Sequence, residues 1–133
     1  MRRFVIVGIA ATHVAACDGP SVRVPCDQLR TLRIGMSKDD VIAKLGSPVT
    51  QFAQDSSSMQ VRRDVDWIMN YGRDNTSDGV RLFAEFSRGR LVYVTAYRKP
   101  PLGGETGQQL LFQLEADDVP REGSEVSKWL CSH

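Results

Sequence analysis

Residues 80–97 read VRLFAEFSRGRLVYVTAY. Two runs rich in β-branched and aromatic residues flank Ser87-Arg88-Gly89-Arg90, and a glycine in so short a polar interval predicts an antiparallel hairpin. Val80, Leu82, Ala84 and Phe86 recur at every second position, so that face of the first run is expected to meet the core. Toward the N-terminus, residues 64–71 (DVDWIMNY) alternate as well. Val65, Trp67, Met69 and Tyr71 point one way, and Asp64, Asp66, Ile68 and Asn70 the other. Residues 49–54 (VTQFAQ) alternate weakly and are expected to form a first strand. Polar intervals at 55–58 and 72–79 supply the connections. The expectation is an antiparallel meander of three to four strands.

The stretch ahead of the meander reads as helix. Ser37 is a good N-cap, and Asp40, three residues on, places an acid where the helix dipole favours one. Met36 before the cap and Val41 after it have the spacing of a hydrophobic staple. Val41, Ile42 and Leu45 form the apolar stripe, and Gly46 with Pro48 stops the helix. Leu29 and Leu32, three apart, predict a short helix before it. Pro100-Pro101 and Gly103-Gly104 end the meander. Beyond them, residues 108–115 (QQLLFQLE) are too short a run to choose between strand and helical turn. Residues 125–131 (EVSKWLC) predict a terminal helix with Val126, Trp129 and Leu130 on one side. Helices followed by a run of strands imply the α+β class: two N-terminal helices packed on the meander, with a C-terminal tail helix.

The first residues carry a different pattern. Met1-Arg2-Arg3 is basic, and Phe4 to Ala16 form an apolar run of 13 residues. A helix needs ~20 residues to span a bilayer, so this run fits a signal sequence better than a stable anchor. It ends Val14-Ala15-Ala16-Cys17, an aliphatic residue and two small ones before a cysteine, which is the lipobox pattern. Residues 1–16 are therefore expected to be a lipoprotein signal peptide, with Cys17 the lipidation site and palmitate among its acyl chains. An ordinary secretory signal cleaved after Ala16 and an uncleaved anchor are the alternatives; each places the body outside the cytoplasm. Residues 17–25 are expected to be a tether, and 26–133 a single domain with a core at 29–98 and an extension at 99–133. Asp18 resembles the residue that retains some lipoproteins in the inner membrane.

Assigning Cys17 to lipid leaves Cys26 and Cys131. An even pair in an oxidising compartment suggests a disulfide, against the alternative of two buried thiols. The mature chain carries 15 basic and 16 acidic residues, a balance unlike the basic excess of nucleic-acid binders. Its single histidine is the terminal His133, a poor position for a catalytic base. The adjacent pairs Asp39/Asp40 and Asp117/Asp118 read as helix-terminal or loop acids, Asp64/Asp66 as a solvated strand face, and Ser56–Ser58 as loop. No metal-ligand spacing occurs, no cofactor is expected, and no catalytic residue is assigned. Binding remains, and Phe52, Arg62, Arg63, Arg88, Arg90 and Tyr97 are the candidate contact residues, with Phe83 and Tyr93 beside them. Aromatics and arginines are the types enriched at interface hot spots.

Residues 32–98 resemble the SmpA/OmlA (BamE-type) family of small outer-membrane-assembly lipoproteins. The resemblance rests on LRIGMSKDDVIAKLGSP, on the aromatic DWIMNY, and on LFAEFSRGRLVYVTAY, in that order behind a lipobox. The Trp–Tyr spacing is longer than the family's, and the chain after Pro100 has no counterpart in it. The resemblance implies two helices on a small antiparallel sheet, as in proteins of the β-lactamase-inhibitor type. It also implies a non-enzymatic, periplasm-facing scaffold accessory to β-barrel assembly and envelope integrity, with the outer membrane as its seat. Asp18 leaves the inner membrane open. An envelope inhibitor or adaptor of the same fold, serving a secretion or stress system, is the alternative role.

Overall fold

Arg88 (φ 51°) and Gly89 (φ 75°) form the two-residue turn of the expected hairpin, with Ser87 facing Arg90 across it. Two successive left-handed residues make the turn whose twist matches that of the flanking strands. The computed structural model describes residues 23–54, 64–72, 79–99 and 107–132. In chain order these form β1 (Val24–Pro25), α1 (Cys26–Leu29), α2 (Lys38–Leu45), β2 (Thr50–Ala53), β3 (Trp67–Asn70), β4 (Val80–Ser87), β5 (Arg90–Arg98), β6 (Gln109–Leu114), β7 (Arg121–Glu122), α3 (Val126–Trp129) and β8 (Cys131–Ser132). The protein is α+β; its described residues form a six-stranded antiparallel sheet ordered β2-β3-β4-β5-β6-β7 and three short helices.

The sheet is larger than the three to four strands expected, and the chain beyond residue 99 accounts for the difference. The ambiguous QQLLFQLE is strand: β6 lies along β5, and β7 along β6. Periodicity could not decide this, because the deciding partner is the free side of β5, whose backbone groups would otherwise lack a ladder. The terminal helix is a single turn, and Cys131 lies beyond it in β8. The folded body also reaches two residues into the stretch read as tether. Val24 is buried, and β1 pairs in parallel with β8 through Val24↔Cys131 and Pro25↔Ser132.

One sheet face is the core. Met69, Leu82, Ala84, Phe86, Leu91, Val94, Ala96, Phe112 and Leu114 pack with Leu29, Leu32, Val41 and Leu45 from the α1–α2 region and with Val126 and Leu130. Val80, Leu82, Ala84 and Phe86 do face inward, as their alternation predicts. Two irregularities re-phase the neighbouring strands. The register passes from Glu85↔Tyr93 to Phe86↔Leu91, skipping Val92, and from Ala96↔Phe112 to Tyr97↔Leu110, skipping Leu111. An extra residue in one strand breaks the two-residue period locally. Leu91 thereby joins Val94 and Ala96 inside, and adjacent Leu111 and Phe112 are both fully buried.

The helix ends follow the local rules. Asp40 N–H donates to Ser37 Oγ and Ser37 N–H to Asp40 Oδ2, each at 3.1 Å, so the cap is reciprocal. Gly46 ends α2 at φ 86°, a region where a side chain would be strained. The loop ahead of α2 is laced to the start of β5: Gly35 N–H donates to Leu91 O and Leu91 N–H to Met36 O, both at 2.8 Å. α2 is thus seated on the core face by hydrogen bonds as well as by its apolar stripe. Lys38 Nζ stands 4.3 Å from the Trp67 ring centroid, linking the first turn of α2 to β3.

Cys26 and Cys131, separated by 105 positions, are brought to disulfide distance with Cα atoms 5.1 Å apart. Around them, Arg23 Nη1 donates to the carbonyls of Lys128 (3.1 Å) and Cys131 (3.3 Å), and Val24 N–H to Leu130 O. Arg30 grips Glu122 with two parallel bonds of 2.8 and 3.0 Å, joining the residue after α1 to β7. Ile34 N–H donates to Asp118 Oδ1 at 2.6 Å, and Asp118 itself sits at φ 56°.

Candidate interaction surface

The strand registers fix which side chains share the sheet face opposite the helices. One row runs Phe52, Ile68, Glu85, Tyr93; the next runs Thr50, Asn70, Phe83, Thr95, Gln113; a third runs Arg81, Tyr97, Leu110. Among the described residues no helix packs there, since α1, α2 and α3 place their buried residues in the core cluster on the other side. The face is aromatic and only partly covered. Phe83 and Tyr97 stack with centroids 6.1 Å apart, Gln113 Nε2 donates to Tyr93 Oη at 3.2 Å, and Leu110 is 44% exposed. Arg81 is buried within it.

The residues proposed for binding separate into three places. Phe52 is on the terminal strand β2, 44% exposed. Tyr97 is on the same face but on β5, half-buried against Phe83. Arg88 and Arg90 lie at the β4–β5 turn, away from that aromatic field, and both are exposed. The backbone N–H of Arg88 donates to Asp66 Oδ2 at 2.7 Å, and Arg90 Nη1 to Gly35 O at 3.3 Å. Asp66, read from the sequence as part of a solvated strand face, lies just ahead of β3 and closes the hairpin end. Arg62, Arg63 and Cys17 lie outside the described residues. Leu110 has no local signal in the sequence, because only the pairing of its strand with β5 places it on this face.

The bond to Glu122 raises the Arg30 guanidinium above its ordinary value, and two further titratable groups, at the ends of α2, are displaced from theirs. Hydrogen bonds from the Ser37 side chain and backbone hold the exposed Asp40 carboxyl below the usual range. Burial pushes the Tyr71 phenol up to about 12, and its Oη donates to the Gly46 carbonyl at 3.1 Å. Both belong to the frame: one holds the start of α2, the other its end against β3. Among the described residues no group of three His, Cys, Asp or Glu is placed to hold a metal ion. No helix among them is long and apolar enough to cross a membrane.

Comparison with family models, curated proteins and solved structures finds no match to this chain.

Proposed function

We propose that the protein is a lipid-anchored, periplasm-facing binding scaffold, without enzymatic activity, accessory to β-barrel assembly and envelope integrity. The observation that carries this reading is the basic Arg2-Arg3, the 13-residue apolar run, and Val14-Ala15-Ala16-Cys17 ahead of the folded body. A cysteine bearing several acyl chains would hold the body permanently at a membrane, at ~0.8 kcal/mol for each buried methylene. The motif series at 32–98 supports the assembly role and the kinship with helix-on-sheet proteins of the β-lactamase-inhibitor type. It favours the outer membrane as the seat of the anchor, with Asp18 the feature that would favour the inner. The half-exposed aromatic face, with Phe83, Tyr97 and Leu110, supplies contact area of the type that interfaces use. Arg88 and Arg90, together with Arg62 and Arg63, supply positive charge for an acidic partner or headgroup.

Affinity capture of the full chain from detergent-solubilised envelopes tests the role. Recovery of barrel-assembly components is expected, reduced by Tyr97→Ala; recovery of none would remove the assembly role. One feature favours a second reading, an inhibitor or adaptor of the same fold. Residues 109–122 add β6 and β7 to the sheet, and nothing in the resemblance corresponds to them. A target gene adjacent to this one would favour that reading.

A further inference from the structure

β1 and β8 have two residues each, and α1 and α3 are single turns. Elements of that size do not offset their own ordering entropy and stand only by mutual contact. The contacts are modest. Val24 N–H donates to Leu130 O at 3.2 Å, and Arg23 Nη1 donates to the Lys128 and Cys131 carbonyls. The Arg30–Glu122 fork joins side chains that are 42% and 27% exposed, where solvent screens the pair. The body is better founded: β4 and β5 have eight and nine residues, β5 ladders to β6 along its other side, and α2 carries its own cap. Cys26 and Cys131 bridge the weak end across 105 positions, and they differ in access. Cys131 is 1% exposed, whereas Cys26 is only partly buried, between exposed Pro25 and Asp27.

We propose that Cys26 is a site of thiol–disulfide exchange and that its bond to Cys131 gates this end of the molecule. A dithiol reductant that attacks Cys26 opens β1, α1, α3 and β8, while β2 to β6 and α2 stay folded. A thiolate of the reductant forms a bond to Cys26 Sγ as the Cys26–Cys131 bond breaks, and Cys131 leaves as a thiolate that takes up a proton. The second thiol of the reductant then displaces Cys26. The reductant ends as its own disulfide, and both protein sulfurs end as thiols. Attack falls on Cys26 because exchange requires access to the sulfur, and Cys131 is closed to solvent.

Opening follows from what the bond offsets. Once it is cut, the closure entropy of a 105-residue loop is set against the contacts of the short elements. Burial of Val24, Leu29, Val126 and Leu130 favours the closed end, but it is opposed by the ordering of residues 23–31 and 123–132. Local opening of a unit held by few contacts leaves better-held units in place. The sheet keeps its ladders, and the loop ahead of α2 keeps its bonds from Gly35 N–H to Leu91 O and from Leu91 N–H to Met36 O. The closed end is thus a state of oxidising conditions, reached only once residues 26 and 131 have both entered them. None of this requires a lipid at Cys17 or an envelope partner, so its failure and that of the proposed function are separable.

Hydrogen exchange of the full chain in detergent solution, with and without dithiothreitol, tests the gate. Peptides covering 24–31 and 124–132 should exchange about a hundredfold faster after reduction, the scale set by loss of the loop constraint. Peptides from β4 and β5 should stay protected. The double variant Cys26→Ser, Cys131→Ser should show the open pattern without reductant and no further response to it. Glutathione added short of equivalence and quenched with acid should be found on Cys26 and not on Cys131 by peptide mapping. Unchanged exchange at both ends after reduction would overturn the inference, since the end would then hold without its bond. Fast exchange in β4 and β5 as well would also overturn it, because the whole body would be unfolding. So would glutathione on Cys131, or two free thiols at these positions in the chain as isolated.

Discussion

Near β7, where the first and last described residues meet, the elements are two to four residues long: β1, α1, α3 and β8. None could persist alone, since isolated turns and two-residue strands do not offset their ordering entropy. That region is crossed by the Cys26–Cys131 pair, the Arg30–Glu122 fork, the Ile34–Asp118 bond and the contacts of Arg23. At the β2 margin the strand is held by its ladder to β3. Long-range links are concentrated where local structure is weakest, and they also close that edge. At the opposite margin β2 is the terminal strand of the described sheet.

The largest expected effect is at the closed side. If Cys26 and Cys131 are joined, Cys26→Ser should cost about 2–5 kcal/mol in denaturant unfolding, and reductant should lower the unaltered chain to the same midpoint. Equal midpoints with and without reductant would break the comparison. Gly123 is next. Its N–H donates to Leu111 O at 2.8 Å, and a Cβ there would collide with the Leu110 carbonyl oxygen. Gly123→Ala should therefore cost about 1–3 kcal/mol by forcing β7 off β6.

Ser37→Ala removes the N-cap of α2 and should cost about 1 kcal/mol at neutral pH. The sign of its pH dependence follows from Asp40, whose carboxyl is held low by Ser37. A lowered native pKa stabilises above the unfolded value and ceases to do so as pH falls through the native one. The gap between wild type and Ser37→Ala should consequently narrow in acid, as followed by thermal melts. Arg88→Asn should stabilise by about 0.5 kcal/mol, because Asn accepts the left-handed conformation that Arg88 holds at φ 51°. Smallest of all, Phe52→Lys should change stability by less than about 0.5 kcal/mol, as for other surface positions. A large loss would mean that Phe52 supports β2 itself.

Legibility in the sequence followed the same division. The cap at Ser37, the stop at Gly46 and the turn at Arg88-Gly89 could be read because each is decided within a few residues. The inward face of β4 could be read because no bulge displaces Val80, Leu82, Ala84 or Phe86. Leu91 and Leu111 could not, since skipped partners at Val92 and Leu111 shift their phase. β6 and the β1–β8 pair depend on partners far away in the chain, and no local period reveals those. Among the surface candidates, Phe52 is visible as an apolar residue in a weak strand, and its position on the terminal strand of the described sheet requires the strand order. Arg88 and Arg90 are legible as residues of the hairpin's polar interval, but their separation from the aromatic face is not.

The anchored scaffold reading meets its most direct test in the intact mass of the chain extracted from its own membrane without reductant. The expected species starts at Cys17, carries acyl chains there, and is two hydrogens lighter than the fully reduced form because Cys26 and Cys131 are joined. A chain with Cys17 unacylated, whether retaining residues 1–16 or cut ahead of it, would contradict the lipid anchor on which the proposed role depends.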